Sequence, residues 1–388
     1  MKKMISMTLA VAMTMSLLAG CGNSNAGTES ASGDTFKIGG IGPVTGGAAI
    51  YGQAVKNGAE LAIKEINEAG GINGYQIEYN FQDDEMDNEK AVNAYNTLKD
   101  WGMNILVGAV TSGCCVAVAA ESQNDNLFQI TPSGSSVDCI NGKENVFQVC
   151  FTDPNQGAGA ADYIGQNNVA TKVAVIYDSS DVYSSGIFAK FKEEAASQNF
   201  EIVSEEAFTA DNKTDFSVQL AKAQEAGADL VFLPIYYSEA SLILKQADSM
   251  GYAPKFFGCD GLDGILGVEN FDQKLAEGVM LLTPFAADAK DDATQKFVSA
   301  YEAAYGETPN QFAADAYDAV YVVKAAAEKC EATPADSVTD LCDKLKAAMQ
   351  EISYDGLTGD SMSWSADGTV NKAPKAMEIK NGAYALVQ

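Results

Sequence analysis

The sequence predicts an α/β protein made of two parallel-sheet sandwiches. Three observations carry this. Strand-like and helix-like segments alternate along the chain, and the alternation restarts after Pro154. The 388 residues are 47% hydrophobic, enough for two full cores. Strands separated by crossover helices form parallel sheets with helices on both faces.

In chain order, Lys2 and Lys3 precede an apolar run from Met4 to Leu18, and small residues lead into Cys21. The run is too short for a spanning helix and reads as a secretory signal. Leu18-Ala19-Gly20-Cys21 reads as a lipoprotein cleavage site, with the Cys21 thiol carrying a diacylglycerol. Residues 1–20 are then removed, and residues 21–34, rich in Gly, Asn, Ser, Thr and Ala, form a flexible tether. The expected place of the mature protein is outside the cytoplasm, anchored to the cell membrane by lipid.

Phe36–Ile41 reads as the first strand. Tyr51, Val55, Ala59, Ala62, Ile66 and Ala69 fall three or four apart and mark one face of a helix, stopped by Gly70-Gly71. Tyr75, Ile77, Tyr79 and Phe81 alternate with polar residues as a strand with one wetter face. Asp87 caps the next helix, whose inner face is Ala91, Tyr95 and Leu98. Further strands are expected at 104–108, 128–131 and 146–149. The second run has strands at 172–177, 200–205, 229–234, 255–258 and 278–282. Its helices fall at 185–198, 214–226 and 239–250. Helices at 295–305, 312–329 and 338–350 follow. Breaks near Thr152-Asp153-Pro154, Thr283-Pro284 and Gly356–Asp360 predict three crossings between the lobes. One lobe is residues 35–152 with 284–358, and the other is 153–283 with 359–388.

The formal charge is −28, with acidic residues scattered rather than clustered. Such a body is repelled by nucleic acid and by anionic head groups, so no nucleic-acid partner is expected. The chain has no histidine, which excludes His bases, Ser-His-Asp triads, His-paired thiols and His metal sites. Binding is favoured over catalysis. Seven cysteines follow Cys21, none in metal-binding C-x-x-C spacing. The odd number leaves at least one thiol free. Cys139 with Cys150 and Cys330 with Cys342 remain open pairings, whereas Cys114-Cys115 reads as a pair of buried thiols. Glycines after the first strand do not make a dinucleotide fingerprint, because Pro43 interrupts the spacing. Asp83–Asp87 lacks the rest of an EF-hand and reads as a solvated loop with a cap.

Several segments, in order, carry a resemblance: Ile38-Gly39-Gly40-Ile41-Gly42-Pro43-Val44-Thr45-Gly46, Tyr51-Gly52, Asn57-Gly58-Ala59, Ala69–Gly74, Asp83-Asp84, Val107-Gly108 to Thr111-Ser112, Ile130–Ser133, Tyr183 to Gly186, Tyr236–Glu239 and Gly258-Cys259-Asp260-Gly261. From about Phe36 onward the chain resembles the leucine/isoleucine/valine-binding proteins of bacterial ABC importers. The resemblance implies a type I solute-binding fold, two lobes joined by three hinge crossings, with a ligand held between them. It implies an amino acid, branched-chain Leu, Ile or Val, as ligand. It implies no enzyme activity and no cofactor, and a monomer that delivers to ABC permease membrane subunits. The other solutes open to this reading are an aromatic amino acid, an amide or an aromatic acid.

The resemblance also implies site residues. A free amino acid needs donors for its carboxylate and a counter-ion for its ammonium. Ser112, at a loop opening a helix, is implied to donate its hydroxyl to the carboxylate, helped by the helix dipole. Ser133 offers backbone, and Ser135 stands where relatives have threonine. Asp260 is implied to bind the ammonium, one methylene shorter than the glutamate of many relatives. Tyr183 and Tyr236 fall where aromatic residues cover the ligand, although one extra residue precedes Tyr183. Tyr51, Val110, Thr111 and Phe312 are implied to surround the ligand side chain. Thr111 replaces a cysteine that in some relatives is bridged; its partner position is Met86, so that bridge is absent.

Overall fold

The computed structural model describes residues 35–387, so the signal, Cys21 and the tether lie outside the described residues. The first half forms β1 (Phe36–Gly42), α1 (Ala49–Glu68), β2 (Ile77–Asp83), α2 (Asn88–Trp101), β3 (Ile105–Gly108), α3 (Ser112–Asp125), β4 (Phe128–Thr131) and β5 (Val146–Gln148). The second continues with α4 (Asp153–Gln166), β6 (Lys172–Asp178), α5 (Val182–Ala195), β7 (Glu201–Phe208), α6 (Ser217–Glu225), β8 (Leu230–Leu233), α7 (Tyr237–Ser249), β9 (Lys255–Gly258) and β10 (Met280–Thr283). Then come α8 (Asp292–Tyr305), α9 (Gln311–Lys329), α10 (Val338–Met349), β11 (Lys375–Lys380) and β12 (Ala383–Leu386).

The strands form two sheets, ordered β2-β1-β3-β4-β5 and β12-β11-β10-β9-β8-β6-β7. Alternation along each strand decides which face each side chain covers. Ile105 and Val107 join the cluster containing Val55 and Ala59 of α1 and Ala316 and Val320 of α9. Leu106, between them, joins Leu98 of α2 and Val118 of α3. In the second sheet Val173 and Val175 face Ile164 of α4 and Ile187 of α5. Ala174 and Ile176 join the cluster that includes Leu220 of α6 and Ile243 of α7. The chain therefore crosses between sheets three times: after β5, after β10, and between α10 and β11.

The second sheet departs from the parallel expectation. β11 pairs antiparallel with β10, and β12 antiparallel with β11. The third crossing returns the chain beside β10, and a hairpin turning on Asn381 and Gly382, both at positive φ, extends the edge. The cysteines at 114, 115, 139, 150, 259, 330 and 342 are all free, so neither pairing left open by the sequence forms. Asp83 and Asp84 accept local backbone amides, from Val44 and Glu85 and from Met86 respectively, while Asp87 accepts from Lys90 N. That segment is a turn and a helix cap, and no metal-holding cluster occurs among the described residues.

Candidate functional site

Most of the expected site residues stand at the ends of strands, where open α/β sheets place ligands. Val110, Thr111 and Ser112 follow β3, and Ser133 follows β4. Tyr183 opens α5 after β6, Tyr236 caps α7 after β8, and Asp260 follows β9. Tyr51 comes from the first turn of α1 and Phe312 from that of α9. These nine, with Gly261, line one enclosed cavity between the two sheets' loops. The space left there is about 10 Å³, room for roughly one water.

Aromatic rings fill the cavity. Tyr51 lies 4.3 Å from Phe312 and meets Tyr236 edge-on at 5.6 Å. Tyr183 stacks on Tyr236 at 4.8 Å with 16° between planes. The Tyr51 hydroxyl donates to Gly261 O and accepts from Tyr237 N, so α1 is tied to the loops after β8 and β9. Ile50 N donates to the Tyr237 hydroxyl, and the Ser238 hydroxyl to Gly47 O, along the same seam. Gly261 has no room for a side chain: a Cβ there would lie 2.7 Å from both Ile235 O and the Tyr183 hydroxyl.

The hydroxyl side of the cavity is built on the start of α3. The hydroxyl of Ser112 accepts from Ser136 N, and that of Ser133 donates to Val110 O. The Thr111 hydroxyl has no hydrogen-bond partner and does not cap α3, whose first-turn amides are left for another acceptor. Ser135 is buried but is not part of the cavity wall. Its carbonyl accepts from Asp153 N, and its hydroxyl has no partner.

The acidic side centres on Asp260. Its Oδ1 accepts from the Tyr183 hydroxyl, and Gln311 Nε2 donates to its carbonyl. Its amide donates to Gln156 Oε1. Burial pushes the Asp260 carboxyl up to about 7, against the lowering effect of Tyr183 and Gln156, and Asp315 adds to the rise. Close by, Asp153 is 1% exposed and neither of its carboxyl oxygens has a partner. Burial holds Asp153 well above the usual carboxylate range, and Asp260 reinforces the rise. Asp153 lines a neighbouring cavity of about 430 Å³ together with Ser136, Val182 and Gly186.

In the sequence Thr152-Asp153-Pro154 reads only as a chain break, and Asp153 and Gln156 do not stand out as site residues. The sign was present: Thr152 caps α4 by accepting from Asn155 N, and an acidic residue followed by proline opens a helix in the crossing itself. Gln311 carries no such sign, whereas Gly261 belongs to the Gly258-Cys259-Asp260-Gly261 segment.

A profile of periplasmic binding proteins matches residues 35–383. This chain belongs to that family. Among family relatives, Leu/Ile/Val-binding protein homolog 3 of Brucella melitensis is 33% identical over 313 residues, covering 79% of this chain and 82% of the relative. The leucine-, isoleucine-, valine-, threonine- and alanine-binding protein of Pseudomonas aeruginosa is 29% identical, covering 84% and 85%. The substrate-binding protein LivJ of Streptococcus pneumoniae, solved with isoleucine, superposes with a TM-score of 0.82 at 32% identity, over 91% of this chain and 99% of that one. The fold is the type I periplasmic binding protein fold, and the family member described here is a binding protein of the ABC-transporter kind, not an enzyme. No helix among the described residues is long and apolar enough to cross a membrane.

Proposed function

We propose that this chain is a lipid-anchored receptor for a branched-chain α-amino acid, closing on it between two lobes and presenting it to an ABC permease. The lobes are residues 35–152 with 284–358 and residues 153–283 with 359–388. Cys21 carries the lipid, the mature protein works outside the cytoplasm, and it acts as a monomer.

The observation that carries the ligand class is an electrostatic imbalance. Asp260 and Asp153 are both buried beside the cavity, and no lysine lines it. The chain contains neither arginine nor histidine. Two buried carboxyls, one of which the other raises further, favour a ligand bringing a positive charge. The opposite wall offers only neutral donors: the Ser112 and Thr111 hydroxyls and the first amides of α3. That suits a carboxylate without a counter-ion. A zwitterion matches both walls, whereas a plain aromatic acid brings negative charge to buried acids. The rings of Tyr51, Tyr236 and Phe312 and the Val110 side chain leave an apolar surface for an aliphatic side chain. The similarity to relatives named for leucine, isoleucine and valine supports the same choice.

Energies are adequate. A charge-assisted hydrogen bond contributes about 1.5–3 kcal/mol, and micromolar affinity needs about 8 kcal/mol. Since the closed cavity holds about 10 Å³, the ligand enters an open form and the lobes then close over it. Calorimetry of the ligand-stripped protein with leucine, isoleucine and valine tests the reading. Binding is expected, and Asp260→Ala and Ser112→Ala should each weaken it at least about tenfold (about 1.4 kcal/mol) with folding retained. Absence of heat with every α-amino acid would overturn it.

A further inference from the structure

The start of α9 is bonded to a turn that belongs to the other half of the molecule. α9 packs on the first sheet through Ala316 and Val320. The turn Asp260–Leu262 leaves β9 of the second sheet. Gln311, the first residue of α9, is 1% exposed, and Asp263 is 4% exposed. Neither lines the aromatic cavity, although Phe312 and Asp260 beside them do. Two bonds tie Gln311 to the turn. Its backbone amide donates to Asp263 Oδ2 at 2.9 Å, and its Nε2 donates to Asp260 O at 2.9 Å.

The first of these bonds is a helix cap supplied from outside the helix. An α-helix leaves its first amides without internal partners. Asn310, the residue before α9, accepts from Ala313 N at 3.2 Å, and Asp263 takes the Gln311 amide. A carboxylate is favourable there because it meets the positive end of the helix dipole. Asp263 is aimed from its own side. Tyr384 of β12 donates its hydroxyl to the Asp263 carboxyl and accepts from Gly264 N at 2.9 Å. Asp263 N in turn donates to Asp260 O at 2.9 Å, so the carbonyl that Gln311 grips belongs to the same tight turn.

We propose that Gln311 and Asp263 are positioning residues for ligand retention, latching α9 to the Asp260 turn in the closed cleft without touching the ligand. This role rests on the amino-acid reading of the cleft, since Asp260 is what the latch holds in place. Both bonds run between halves that must part for a ligand to enter. They break on opening and form again on closing. They therefore act after capture: release is slowed, and the encounter with the open form is unaffected. A contact of purely structural value would instead support the open and closed forms alike.

Gln311→Pro is the decisive variant. Proline has no N–H and is favoured at the first helical position. Asn310 before it is already extended, at φ −95° and ψ −179°, as a residue preceding proline requires. The substitution deletes both bonds to the turn and keeps the helix, whereas Gln311→Ala deletes only the side-chain bond. Stopped-flow measurement of leucine association and dissociation on the full mature protein reads the result. Dissociation should speed up about threefold in Gln311→Ala and about tenfold or more in Gln311→Pro. Association rates and the ligand-free melting temperature should stay at the parent values. Asp263→Ala should also speed release about tenfold, and Asp263→Asn, which keeps an oxygen for the amide, should restore most of the parent rate. Asp263→Ala added to Gln311→Pro should speed release by less than about twofold more, because the two share one bond. Release at the parent rate from either Gln311 variant, or full additivity of the Asp263 and Gln311 effects, overturns the latch and leaves the amino-acid reading standing. A parent protein that binds no α-amino acid overturns that reading and the latch with it.

Discussion

The Tyr183 hydroxyl donates to Asp260 Oδ1 at 2.7 Å while accepting from Gly261 N at 2.9 Å. One phenol thus fixes both the carboxyl that faces the cavity and the turn that carries it, and stacking on Tyr236 fixes the phenol. Tyr183→Phe keeps the ring but leaves Asp260 Oδ1 and Gly261 N without this partner. It also removes an interaction that holds the Asp260 pKa down. Leucine affinity at pH 7 is expected to fall about tenfold, and the pH below which affinity declines should move upward. Calorimetry across pH 5–9 reads both; a variant matching the parent in both would remove Tyr183 from this role.

Ligand affinity should depend on pH through Asp260. Its carboxyl titrates at about 7, raised by burial, and only the ionised form attracts an ammonium. Below pH 7 the proton must leave before the ligand binds, so affinity is expected to drop roughly tenfold per pH unit. Above pH 8 it should level off. Asp260→Asn should bind weakly at every pH with a much shallower profile. An equally steep profile in Asp260→Asn would assign the titration to another group.

The stability of the ligand-free protein should run the other way. Burial raises Asp84, Asp263 and Asp318 to about 6 and Asp260 to about 7. Between their ordinary value near 3.8 and these raised values, the folded state holds protons that the unfolded chain has released. Their contribution is therefore fully present below pH ~3.8 and lost as pH rises through 6–7. The melting temperature is expected to fall from pH 5 to pH 8. Asp260→Asn should flatten the slope by up to about 1.4 kcal/mol per pH unit within that window, and saturating leucine should flatten it too, because its ammonium replaces the lost proton. Differential scanning calorimetry at several pH values checks the sign; a rise in stability over that range contradicts it.

What could be read from the sequence divides along physical lines. The strand–helix rhythm was legible because hydrophobic period and turn residues are local. The sequence reading leaves out the β11–β12 hairpin, although Asn381-Gly382 is a strong local turn signal and buried Met377 and Ile379 alternate along Lys375–Lys380; only the edge strand Ala383–Leu386 has a weak pattern. Tyr51, Phe312 and Asp260 could be put together only through the resemblance, since no local pattern joins Tyr51 to Gly261 across 210 positions. Asp153 stayed hidden because an acid at a helix start normally reads as a favourable dipole contact. Only burial, with both oxygens unpartnered, sets it apart.

Tyr51 closes the seam between the loops. Its hydroxyl engages Gly261 O and Tyr237 N from the opposite side, and its ring packs on Phe312 and Tyr237. Tyr51→Phe preserves the ring contacts and deletes both polar ones, leaving a buried carbonyl and a buried amide without that partner. The closed form should lose about 1–3 kcal/mol relative to the open one. Leucine affinity is then expected to fall about tenfold or more, chiefly through faster dissociation. Stopped-flow displacement would show this; an unchanged dissociation rate would mean that closure does not depend on the hydroxyl.

Lys372 is the one lysine buried with a carboxylate among the described ion pairs, at 1% side-chain exposure against 3% for Asp315. It lies in the third crossing, and its ammonium donates to Asp315 Oδ1 at 2.6 Å and to Val149 O at 2.9 Å. Trp364 of the same crossing donates to the adjacent Gln148 O at 2.7 Å. The third crossing is thereby pinned to the end of β5, where the first crossing begins, and to α9. Lys372→Met strands the Asp315 carboxyl, whose pKa burial already raises. A loss of about 3–5 kcal/mol is expected. Asp315→Leu combined with Lys372→Met replaces the pair with apolar groups of similar size and should recover most of that loss. Denaturant unfolding of the parent, both single variants and the double variant gives the coupling directly. If the double variant is no more stable than Lys372→Met, the damage comes from the missing Val149 contact rather than from the unpaired charge.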